Sequence, residues 1–241
     1  MQLLGQLHRD AMLRGVCRWA LIAASMVGLS LSCAGENERE ARERRPADGV
    51  TIVAALGDSI TAGTPLWDPD PARRGQIPDP KRRSEYGYWA ERALPDTEFR
   101  NCGVPGERTD EIERRLRPCV RGAQVLIVQG GVNDIAQGRP PAQAAADLRA
   151  MVFRGEELGL RVAIVELLPW NGGFPGADPL IQELNGRIGA LAREEEVPVI
   201  EWYRVLEDPK RPGRMRLDWT DDLAHPSVEG YRRLGEAVEL P

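Results

Sequence analysis

Val50-Thr51-Ile52-Val53-Ala54-Ala55-Leu56 runs directly into Gly57-Asp58-Ser59-Ile60. The first seven residues read as a short apolar strand, and the glycine that follows ends it. The same kind of segment recurs at Thr97 to Asn101, Gln124 to Gln129, Arg161 to Leu167 and Val197 to Trp202. Strands without apolar/polar alternation are buried on both faces, as in a parallel sheet. Helix-like segments separate them, over Tyr86 to Leu94, Gly106 to Leu116, Pro141 to Leu158, Asp178 to Glu196 and Pro226 to Val238. Thr109 and Asp110 near one start, and Pro226 early in the last segment, suit helix entry. This alternation predicts an α/β protein, a three-layer α/β/α sandwich around a central parallel sheet of about five strands. No internal repeat is evident.

The chain has 241 residues, enough for one domain with a substantial core. Its formal net charge is -5, and residues 1–32 are net positive, so the remainder is more acidic still. An acidic body without a basic stripe argues against nucleic acid as a partner.

Arg9, Arg14 and Arg18 precede an apolar stretch from Trp19 to Ser32. That stretch is too short for a typical membrane span and suits the core of a signal segment. It ends at Leu31-Ser32-Cys33, which resembles a bacterial lipoprotein signal in which Cys33 would carry the lipid, although Ser30 stands where Leu or Val is usual. The expectation is an extracytoplasmic protein held at the cell envelope through lipid on Cys33. Plain secretion and an uncleaved anchor are the alternatives. Residues 33–49, with their many Glu and Arg and almost no apolar residues, read as a charged tether. The folded domain is then 50–241, expected to be a monomer.

Of the remaining cysteines, Cys17 would leave with the signal. Cys102 and Cys119 stay in a compartment that permits disulfides, so a bridge between them is expected, with two buried free thiols as the alternative. Residues 64–84 are rich in Pro, Asp and Arg around an isolated Trp67. A loop of that length after a strand end is expected to rim a functional site.

Ligands in open α/β sheets bind beyond the carboxyl ends of the strands. Three marked sequences fall there: Gly57-Asp58-Ser59-Ile60, Asn101-Cys102-Gly103-Val104-Pro105-Gly106, and Gly130-Gly131-Val132-Asn133-Asp134. A fourth, Asp222-Leu223-Ala224-His225-Pro226, lies near the C-terminus and holds the one histidine left once the signal segment is removed. A serine hydroxyl needs a base to become a useful nucleophile, and the base needs an orienting group. Ser59, His225 and an acid before it are a possible set. Pro226 keeps His225 out of helical conformation, on a loop before the last helix.

These four blocks, in this order over roughly residues 50–240, resemble the SGNH/GDSL hydrolase family. The resemblance implies a flavodoxin-like fold. It implies Ser59 as nucleophile, His225 as general base and Asp222 as its partner, with Asp218 and Asp221 as nearby competitors. It implies an oxyanion hole from the Ser59 N–H, the Gly103 N–H and the Asn133 side-chain amide. Asp58 is expected to bond local backbone, and Asp134 to cap or orient its loop. Trp67, Trp170 and Phe174 are candidates for the substrate rim, with Trp170-Asn171-Gly172-Gly173-Phe174 expected to form an adaptable loop. No cofactor is expected. With a single body histidine and no close cysteine pair, no metal site is indicated. Members of the family cleave lipid esters, thioesters, aryl esters and sugar O-acetyl groups. A small-acyl carboxylic esterase is the favoured expectation, with a lysophospholipase or thioesterase acting on lipids, or a non-catalytic binding module, as alternatives.

Overall fold

The computed structural model describes residues 49–241. The expected signal segment, Cys33 and the expected tether through residue 48 lie outside the described residues.

Five parallel strands form the central sheet: β1 (Thr51–Gly57), β2 (Thr97–Gly103), β3 (Val125–Val128), β4 (Arg161–Val165) and β5 (Val199–Ile200), in the spatial order β2-β1-β3-β4-β5. Alternate residues of each strand face opposite layers. Ala54 and Leu56 of β1, Leu126 and Val128 of β3, and Ile164 of β4 belong to one core cluster. That cluster is completed by α4 (Thr109–Arg114), α5 (Leu116–Cys119), α7 (Pro141–Glu157) and α8 (Ala177–Glu194). Val53, Ala55, Val125, Ile127 and Val165 face the other way, against α3 (Tyr86–Ala93), α9 (Trp202–Leu206) and α10 (Val228–Glu236). Two separate apolar layers are the reason the strands read as continuous apolar runs. The result is the expected α/β/α sandwich.

Several boundaries differ from the sequence reading. The helix expected over Gly106 to Leu116 is two short helices, α4 and α5. The last strand shortens to Val199–Ile200, because Trp202 starts α9 and buries its indole, with Nε1 donating to Leu234 O at 3.1 Å. A hairpin of β6 (Glu207–Asp208) and β7 (Arg211–Met215) follows and had no strand signal. Residues 64–84 contain two short helical turns, α2 (Pro71–Arg74) and a 3-10 turn at Arg82–Ser84.

Two further short helices sit at strand ends, α1 (Ser59–Ala62) after β1 and α6 (Val132–Ala136) after β3. Cys102 and Cys119 form a disulfide, with Cα atoms 6.0 Å apart, joining the end of β2 to α5. Among the described residues no helix is long and apolar enough to cross a membrane.

Candidate active site

The strand order reverses at β1, whose neighbours β2 and β3 are reached by chain running in opposite directions. A crevice opens beyond the strand ends at such a point. Ser59 is placed there as the first residue of α1. Asp58 caps that helix, its Oδ1 accepting from the Ile60 N–H at 2.9 Å, and Gly63 closes it at φ 102°. The cap is the local backbone bond expected of Asp58.

His225 reaches Ser59 from the C-terminal loop. Its Nε2 lies 3.0 Å from Ser59 Oγ, and its Nδ1 lies 2.7 Å from Asp222 Oδ2. The other Asp222 oxygen accepts from the N–H groups of Ala224 (2.9 Å) and His225 (2.7 Å). Burial works against the charge on Asp222, but these hydrogen bonds outweigh it and hold the carboxyl below its ordinary range. The structure thus pairs Asp222 with the imidazole. Asp218 pairs instead with Arg216, and Asp221 is raised by burial and by the neighbouring Asp222 charge. The Asp222–His225 loop turns through Leu223 at φ 67° and is held by Thr220 Oγ1 donating to His225 O at 2.8 Å.

The three expected oxyanion donors are not equivalent. No hydrogen bond engages the Ser59 N–H among the described residues. Asn133 Nδ2 donates to Glu107 O at 2.9 Å, which uses one of its two amide hydrogens. The Gly103 N–H, in contrast, donates to Asn101 Oδ1 at 2.9 Å and is already satisfied. Glycine at 103 is required for another reason. A Cβ there would lie 2.1 Å from Ala62 N, so only glycine lets β2 pass this close behind α1.

Sequence reasoning missed the residues that hold this edge together. Arg115 donates from Nη2 to Gly57 O (3.1 Å), from Nη1 to Cys102 O (2.7 Å) and from Nε to Glu107 (2.7 Å). It therefore ties the ends of β1 and β2 to the residue whose carbonyl orients Asn133. Asn101 lies two residues before Gly103, a spacing at which Asn side chains commonly accept from backbone, and that was the available signal. Asp134 orients its loop by accepting from the Thr109 N–H and Oγ1, both at 2.9 Å. Asp110, Asp134 and Asp147 approach within 4.8 Å, but Arg139 Nη1 lies 2.5 Å from Asp134 and 2.6 Å from Asp147, so an internal cation balances the cluster.

A cavity of about 20 Å³ is lined by chain neighbours of the triad residues rather than by the triad itself. Ile60, Val132 and Ala224 line it, the sequence neighbours of Ser59, Asn133 and His225, together with Trp170. Phe174 stands behind Trp170, edge-on with centroids 6.2 Å apart, and is exposed. Trp67 is not among the lining residues. It packs on Gly63 under the Arg74 guanidinium, 4.7 Å from the ring centroid.

Residues 55–233 match the GDSL-like Lipase/Acylhydrolase family. The chain belongs to this family. Its fold is similar to that of a G-D-S-L family protein from Desulfitobacterium hafniense, with a TM-score of 0.64 at 22% identity over 78% of this chain and 97% of that one. A lipolytic protein of the G-D-S-L family from Veillonella parvula matches with a TM-score of 0.64 at 21% identity, over 78% and 96% of the two chains. The SGNH-hydrolase family esterase AlinE4 matches with a TM-score of 0.54 at 21% identity, over 77% and 90%. Among curated proteins no sequence match is found. Membership places the chain among the GDSL/SGNH hydrolases.

Proposed function

We propose that this hydrolase is a serine esterase that cleaves carboxylic O-acyl esters of short acyl groups through an acyl-enzyme. The observation that carries the reading is the unbroken chain from Ser59 Oγ through the His225 ring to Asp222, at 3.0 and 2.7 Å. Ser59 Oγ attacks the ester carbonyl as His225 Nε2 takes its proton. Asp222 keeps the proton on Nδ1 and stabilises the imidazolium that forms. Negative charge on the former carbonyl oxygen is met by the Ser59 N–H and the remaining Asn133 amide hydrogen, donors fixed before the reaction begins. Protonated His225 gives its proton to the departing alcohol. Water, deprotonated by the same nitrogen, then releases the acid and restores Ser59.

The N-terminal reading adds a location. We propose that Cys33 carries lipid and that the tether holds the domain outside the cytoplasmic membrane, facing envelope esters.

The reading is tested with a fluorophosphonate probe and p-nitrophenyl acetate on the domain from residue 34, beside Ser59→Ala. Labelling and turnover that both vanish in Ser59→Ala support it. A wild type that neither labels nor turns over ester favours a binding module.

A further inference from the structure

We propose, resting on the esterase reading above, that Trp170 restricts the acyl group to acetyl, making the substrates O-acetyl esters. The cavity lined by Ile60, Val132, Ala224 and Trp170 measures about 20 Å³. A single water needs about 10–15 Å³ on this measure, so the space takes one methyl-sized group and no chain. Its walls suit the acyl side, since Ile60, Val132 and Ala224 are the chain neighbours of the nucleophile Ser59, the expected oxyanion residue Asn133 and the base His225. Trp202, fully buried in the core, also forms part of its wall. Glu166, half-buried and with its carboxyl raised by burial, also lines it, so a longer chain would press on a carboxylate as well as on an indole.

A small cavity restricts a substrate only when its wall cannot move. Trp170 is the half-buried aromatic of the lining, and its loop is clamped on two sides. The Asn171 side chain donates to Met215 O at 2.8 Å and accepts from the Met215 N–H at 2.7 Å. Arg214 Nη1 donates to Asn171 O at 2.9 Å. On the other side the Gly172 N–H donates to Leu223 O at 2.7 Å, inside the loop that carries His225. The indole itself lies against Gly173, where an added Cβ would meet its atoms at 3.0 Å. Gly173 is the glycine that lets the chain approach Trp170 this closely.

The test is kcat/KM for p-nitrophenyl acetate, butyrate and octanoate in wild type, Trp170→Ala, Trp170→Leu, Asn171→Ala and Ser59→Ala. The wild type is expected to prefer acetate to butyrate by about 10-fold or more, the range in which pockets discriminate by a methylene or two. Trp170→Ala should raise the butyrate-to-acetate ratio by about 10-fold, and Asn171→Ala, which leaves the indole but releases its clamp, by several-fold. Trp170→Leu carries the test if the alanine variant does not fold. An active wild type whose ratio is unchanged in the folded Trp170 variant, or which prefers octanoate, overturns the Trp170 assignment and leaves the serine mechanism standing. Undiminished activity in Ser59→Ala removes that mechanism and this inference with it.

Discussion

The Gly103 N–H donates to Asn101 Oδ1 at 2.9 Å, two residues back along the same strand. That bond occupies a donor the family pattern assigns to the oxyanion, and it leaves the Ser59 N–H and one Asn133 amide hydrogen as the open pair. Fewer open donors make each one more important.

Replacing Asn133 by Ala should therefore lower kcat by about 10²–10³-fold with little change in KM, because the lost bond is made mainly in the transition state. Steady-state kinetics on p-nitrophenyl acetate would show it. A rise in KM with kcat intact would instead assign Asn133 to ground-state binding.

Gly103→Ala should act through shape. Its Cβ would meet Ala62 N at 2.1 Å and Thr61 C at 2.6 Å, both backbone atoms of the helix that begins with Ser59. We expect a loss of ~1–3 kcal/mol in stability together with reduced turnover, read from urea unfolding and kinetics on one preparation. A variant as stable as wild type would mean that α1 yields without strain.

Asp58 should make stability depend on pH. It is fully buried, its Oδ2 has no hydrogen-bond partner, and burial raises its carboxyl from 3.8 to about 6. Well below the lower value both folded and unfolded states hold the proton, and the stabilising contribution is fully present. Between the two values the unfolded chain ionises first, so the stabilising contribution is lost as pH rises through about 6. Asp58→Asn retains an oxygen for the Ile60 N–H and cannot ionise. Its stability relative to wild type should climb between pH 4 and pH 7 by up to ~3 kcal/mol. A difference that stays constant with pH would show that Asp58 does not titrate in this window.

The Cys102–Cys119 bridge closes a loop with a sequence separation of 17. Cross-links of that span stabilise by ~3 kcal/mol, chiefly by restricting the unfolded chain. The double replacement Cys102→Ser with Cys119→Ser should lower the urea midpoint accordingly. An unchanged midpoint would remove the bridge from the stability of the fold.

The order of apolar runs determined the sheet without any structure. Segments such as Val125–Val128 are buried on both faces, and only a parallel sheet covered by two helical layers satisfies them. The resemblance of four short blocks at strand and loop ends to the SGNH/GDSL family marked Ser59, Gly103, Asn133, Asp222 and His225.

What escaped the sequence was set by distant contacts. Arg115 is one arginine among many until Gly57 O, 58 positions away, accepts from it. Trp202 has the composition of a strand residue, yet its burial and its bond to Leu234 O turn the chain into a helix. Glycines 172 and 173 signal freedom in an isolated segment, whereas Asn171 and Leu223 remove that freedom through Met215 and the His225 loop. Periodicity and turn chemistry act between near neighbours, so they write the fold into the sequence. The size and rigidity of the pocket depend on side chains that meet only after folding, and the tertiary structure alone decided them.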